Sequence, residues 1–121
     1  MKRFFIICLC LLLLSACGNK SKAIMPERLL TEQEMIDLMT DVQIIEADIN
    51  HRKTQEREHN DSIPAKPVDY VKLSRSYYSQ LFEHYGITDS IFTQNMRYYS
   101  MEPATLERIM DSVMQRLMKE K

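Results

Sequence analysis

The apolar residues of the chain fall into one unbroken N-terminal run and four later stretches with helical spacing. In the first of these, Met35, Leu38, Val42, Ile45 and Ile49 recur in alternating steps of three and four, and Ile36, Met39 and Ala47 widen the stripe. This is the pattern of a helix that buries one face in a bundle. Its start is marked by a T-x-x-E capping box, Thr31 with Glu34, bracketed by Leu30 and Met35 as a hydrophobic staple. After Ile49 the text HRKTQEREHND is polar on every side, so the helix either extends into solvent or frays there. Residues 60–67 read as a loop.

A second helix is predicted from about Asp69 to Tyr85, with Tyr70, Leu73, Tyr77, Leu81 and Tyr85 on one side and Tyr78 and Phe82 beside them. Gly86 ends it, and Ile87 is placed to fold back on Phe82 in a Schellman turn. Thr88 caps a third helix that should bury Phe92, Met96 and Tyr99. So short a connection predicts that the second and third helices are close neighbours. A fourth helix begins near Pro103, a residue suited to the first turn, and continues through Leu106, Ile109, Met110, Val113 and Leu117. Lys119 and Lys121 suit the negative end of its dipole. Only two glycines and four prolines interrupt the chain, and no strand-like alternation or internal repeat is visible. The predicted fold is all-α, a small bundle of about four helices.

The remaining apolar run, Phe4 to Leu14, follows the basic pair Lys2 and Arg3 and precedes the small residues Ser15 and Ala16. That is the layout of a secretory signal. Eleven residues fall short of the roughly 20 that a membrane-spanning helix needs. The junction Leu14-Ser15-Ala16-Cys17 resembles the lipobox of bacterial lipoproteins, which are cut before a cysteine whose sulfur carries a diacylglycerol; the alternative is an ordinary secretory leader followed by a free thiol. The expected organisation is a signal peptide over 1–16, a lipidated N-terminus and tether over 17–30, and a single helical domain over 31–121.

Cys8 and Cys10 would leave with the leader, so Cys17 would be the only cysteine of the mature chain and no disulfide within one chain would be possible. Lipidation accounts for it, since two acyl chains anchor stably where one does so only marginally. Cleavage removes Lys2 and Arg3 from 16 basic residues and none of the 17 acidic ones, leaving 14 and a formal charge of about −3. Mild acidity argues against nucleic-acid binding, which calls for a basic face.

Candidate chemistry is sparse. Glu34, Asp37, Asp41 and Asp48 share one side of the first helix and read mainly as a solvated acidic face, less readily as a cation site, because hard cations gather oxygen ligands from loops. Asp41 and Glu46 point about 140° apart on an ideal helix and cannot form a local carboxylate pair. His51, His59 and His84 have no metal-ligand spacing, and no cofactor is implied. All six tyrosines lie between Tyr70 and Tyr99, while Met110, Met114 and Met118 recur on the last helix. They read either as core, aromatic bodies with wet hydroxyl rims and adaptable methionines, or as a groove for a partner. On the groove reading the candidate interaction surface is Asp41, Glu46, Tyr77, Tyr78, Tyr98, Tyr99 and Met114.

Three segments resemble the small lipoproteins of Bacteroidota that carry the domain of unknown function 4296: DVQIIEA at residues 41–47; Tyr85-Gly86-Ile87-Thr88 followed by Phe92, Met96, Tyr98 and Tyr99; and Pro103 with Ile109, Val113 and Leu117. The resemblance runs from about Met25 to the end, with 51–67 its least characteristic part. It implies a helical exported lipoprotein and carries over no catalytic residues. The expected function is therefore a lipid-anchored, non-enzymatic envelope protein that binds another envelope protein or a cell-wall component; the alternative is a module binding a small ligand, peptide or glycan through its Tyr/Met surface. Gly18 lacks the aspartate resembling an inner-membrane retention signal, and Asn19-Lys20-Ser21-Lys22 lacks the acidic pair resembling a surface-export signal. The periplasmic face of the outer membrane is the expected location.

Overall fold

The structure, a computed structural model, describes residues 22–58 and 67–120. The expected signal peptide, Cys17, the first part of the tether and most of the predicted loop lie outside the described residues. Four helices follow in order: α1 (Glu32–Glu58), α2 (Tyr70–Tyr85), α3 (Asp89–Ser100) and α4 (Pro103–Lys119). The described residues contain no strand, and the fold is an all-α bundle.

The local signals set the helix ends. Thr31 Oγ1 accepts from the Glu34 amide at 3.1 Å and Glu34 Oε2 accepts from the Thr31 amide at 2.8 Å, closing the capping box. Leu30 and Met35 on either side are both buried. Asp69 caps α2 through the Lys72 amide and Thr88 caps α3 through the Ile91 amide. Gly86 sits at φ 61°, and its amide and that of Ile87 donate to the Glu83 and Phe82 carbonyls. Those two bonds make a Schellman ending. The polar stretch after Ile49 stays helical to Glu58.

α1 is the central element, packed along α4 on one side and α2 on the other, while α3 packs on α4. α2 and α3, despite their short joint, are not an extensively packed pair. They meet through the Phe82 and Phe92 rings, 5.2 Å apart. The expected close neighbours are thus in large part separated, because each finds its larger apolar partner in α1 or α4. The contiguous core draws Met35, Leu38, Met39 and Val42 from α1, Leu81 and Phe82 from α2, Tyr99 from α3, and Ile109 and Val113 from α4. Ile49 is buried but lies outside that cluster, and Ala47, expected in the stripe, is exposed. Beyond Ile45, α1 therefore leaves the main core and runs with the first half of α2 as a two-helix arm. At 27 residues, α1 is about 40 Å long.

Residues 26–30 depart from the expected tether. Pro26 and Leu30 are buried, and the segment lies on α3 as a strap. Buried Asn95 accepts the Leu30 amide at 2.8 Å and donates to the Arg28 carbonyl at 2.7 Å and the Ile91 carbonyl at 2.8 Å. Tyr99 donates its hydroxyl to the Leu30 carbonyl at 2.5 Å. Gln94 accepts the Glu27 amide, and Arg28 donates to the Gly86 carbonyl and pairs with Glu34. The segment lacks periodicity because backbone hydrogen bonds, rather than an apolar stripe, hold it.

Candidate functional site

The tyrosines of α2 and the acids of α1 form a seam. Tyr85 donates to Asp41 at 2.6 Å, Tyr78 to Glu46 at 2.6 Å, Tyr77 to Asp48 at 3.1 Å and Tyr70 to Glu56 at 2.6 Å. As residue numbers rise on α1 they fall on α2, so the helices run antiparallel. Lys53 lies 5.3 Å from the centre of the Tyr70 ring and adds a cation–π contact to the arm.

The acidic face keeps its exposure to solvent, with the side chains of Glu34 41 %, Asp37 42 % and Asp48 42 % accessible, but its acids also have partners. Asp41 and Asp48 serve tyrosines, Asp48 also pairs with Arg52, Asp37 pairs with Arg116 and accepts from Gln33, and Glu34 belongs to the capping box. That side of α1 is bracketed by α2 and α4, which bring donors to it. Burial, then the Glu46 carboxylate, pushes the Tyr78 phenol up to about 12. Burial and Asp41 raise Tyr85 further, and burial raises Tyr99. The Arg52 hydrogen bond lowers Asp48, the Tyr70 hydroxyl lowers Glu56, and the Thr31 amide lowers Glu34.

The structure therefore divides the seven sequence-predicted surface residues. Asp41, Glu46, Tyr77 and Tyr78 meet in the seam with their polar groups satisfied internally. Tyr99 is 5 % exposed and belongs to the core, its hydroxyl taken by the strap. Tyr98 stacks edge-on against it and lines a cleft of about 320 Å³ with Leu29, Glu32 and Glu102. Met114 is exposed on α4, as is Met118, while Met110 packs on the core.

A larger open cleft, about 700 Å³, lies over the α2–α3 turn. Tyr78, Phe82 and Ile87 form its apolar floor, and Arg75, Glu83 and Asp89 stand on its rim. None of these three charged side chains has an ion pair or side-chain hydrogen bond among the described residues. Sequence reasoning missed the rim because the cleft exists only once the Schellman turn sets the angle between α2 and α3. It also missed Asn95, although a visible signal existed: a polar residue on the apolar stripe between Phe92 and Tyr99. Among the described residues no group of three or more His, Cys, Asp or Glu is placed to hold a metal ion, and no helix is long and apolar enough to cross a membrane.

Fold and surface define a small all-α domain closed by an N-terminal strap, with an open amphipathic cleft of ligand-sized volume over the α2–α3 turn. The chain belongs to the family described as Domain of unknown function (DUF4296), whose model matches residues 26–121. The match starts at Pro26, the first buried residue of the strap, and takes in all four helices. Comparison with curated proteins and with solved structures gave no match.

Proposed function

We propose that this protein is a lipid-anchored component of a bacterial cell envelope, attached through Cys17, whose bundle is a non-enzymatic interaction domain. Its partner is another envelope protein or a cell-wall component, met on the periplasmic face of the outer membrane. The Leu14-Ser15-Ala16-Cys17 junction behind an eleven-residue apolar run supports the anchor. The rim of the α2–α3 cleft carries the interaction reading: Arg75, Glu83 and Asp89 find no side-chain partner among the described residues, whereas the acids along the seam are spoken for.

A photo-crosslinking residue at Ser79, inside the cleft, tests the interaction in cells. A discrete adduct that disappears in Arg75→Glu is expected; adducts indifferent to that change, or none, would refute the cleft as the docking site. For the anchor, an alkyne fatty acid should label the wild type and not Cys17→Ala, and equal labelling sinks the claim.

The second reading places a small ligand, peptide or glycan in the same cleft, whose volume suits one. It is less favoured because Phe82 and Ile87 are already 8 % and 7 % exposed, leaving a small molecule little apolar surface to cover.

A further inference from the structure

Two exposed apolar residues stand immediately before the strap. Ile24 is 76 % and Met25 64 % exposed, yet the next residue, Pro26, is buried and fixes where they emerge. Seven residues upstream of Ile24 is Cys17. A flexible segment of that length spans about 15 Å, and a fully extended one about 25 Å. If the anchor reading holds, this apolar pair is within reach of the bilayer that holds Cys17. Between Cys17 and Glu27 the only ionised side chains are Lys20 and Lys22, both of the sign that anionic headgroups attract.

We propose that Ile24 and Met25 seat in the lipid interface beside the anchor and that the strap transmits this contact to the bundle, fixing its orientation on the membrane. The occupant of the exposed apolar pair is the lipid surface itself, and the inference rests on the anchor at Cys17. The strap is tied to α3 by Asn95, Tyr99 and Gln94 and to the end of α2 through Arg28 and the Gly86 carbonyl. The α2–α3 turn is therefore the membrane-proximal end, and the two-helix arm, with Val71 exposed on it, points away. On a free tether the domain would tumble. With a second lipid contact the cleft is presented at a set height and angle, which is what a stationary envelope partner requires.

The test uses the full-length lipidated protein in vesicles of phosphatidylethanolamine and phosphatidylglycerol. Single cysteines replace Ser21, Met25 or Val71 and carry an environment-sensitive fluorophore, with acyl-chain-labelled lipid as quencher. Quenching at position 25 should be at least twofold that at position 21, although 21 lies four residues nearer the anchor, and position 71 should show none. Quenching that falls from 21 to 25 is the signature of a passive tether and overturns the inference while leaving the anchor intact. Protein that fails to float with the vesicles overturns the anchor and the inference together.

Discussion

Asn95 holds Leu30 across 65 residues of sequence: its side-chain oxygen takes the Leu30 amide at 2.8 Å while its side-chain nitrogen serves the carbonyls of Arg28 and Ile91. The residue is fully buried, and no buried side-chain polar atom among the described residues lacks a partner. Each buried backbone group left unpaired costs about 1–3 kcal/mol. Asn95→Ala strands the Leu30 amide and the Arg28 carbonyl, so urea unfolding should show a loss of about 2–4 kcal/mol, roughly 10–20 °C in Tm. A loss under about 0.5 kcal/mol would mean that the strap contributes little to the fold.

Removing a seam hydroxyl should cost according to the burial of its bond. Tyr78→Phe and Tyr85→Phe each lose a 2.6 Å bond to a carboxylate in a half-buried setting, and about 1–2 kcal/mol is expected for each. Tyr77→Phe should cost less, since its bond is longer and Asp48 keeps Arg52. Chemical denaturation of the three variants gives the order directly, and losses near zero in all three would show that the rings, not the hydroxyls, set the seam.

Alkali should loosen the bundle through the same residues. A phenol is neutral when protonated, and Tyr78 in the fold is raised to about 12, with Tyr85 raised beyond it, against about 10 in an unfolded chain. The stabilisation is complete below about pH 10 and drains away as pH climbs toward the folded values. Tyrosinate absorbance should show a late-ionising set, with Tyr78 and Tyr85 the last and Tyr70 and Tyr99 also raised, and a single transition near pH 10 for all six would contradict the burial of the seam. At the acid end the sign reverses. Asp48, Glu56 and Glu34 are lowered, so their contribution is present above about pH 4.5 and is lost on further acidification.

Gly86→Ala should destabilise by about 1 kcal/mol because a side chain must adopt the left-handed conformation at φ 61°. A Cβ there meets nothing within 4 Å, so the loss is conformational and Gly86→Asn should recover part of it. Thermal melts of the two variants check this, and identical losses would point to a packing cause.

What the sequence discloses is what neighbouring residues decide among themselves. Thr31 with Glu34, Gly86 with Ile87, Thr88 and Pro103 each set a helix end through contacts within a few positions, and those ends are legible. The strap and the seam are not, since Leu30 needs Asn95 and Asp41 needs Tyr85, partners 65 and 44 residues away. The near-heptad tyrosines 70, 77, 78 and 85 face acids 56, 48, 46 and 41 only after one antiparallel register of α1 on α2 is chosen. Asn95 was the more readable of the two features, because a carboxamide on an apolar stripe demands buried partners. Arg75, Glu83 and Asp89 lie on two helices, and nothing in their spacing announces a shared rim.

The strap also orders events in time. Leu30 leaves the ribosome, or any channel that threads the chain from its N-terminus, well before Asn95 and Tyr99. Until about seventy residues more have followed, its amide and carbonyl have only water to bond. The bundle can therefore close only late, after a long loop has been gathered and its entropy met. The strap's bonds form only once α3 is available, and the core that α1 shares with Ile109 and Val113 of α4 closes later still.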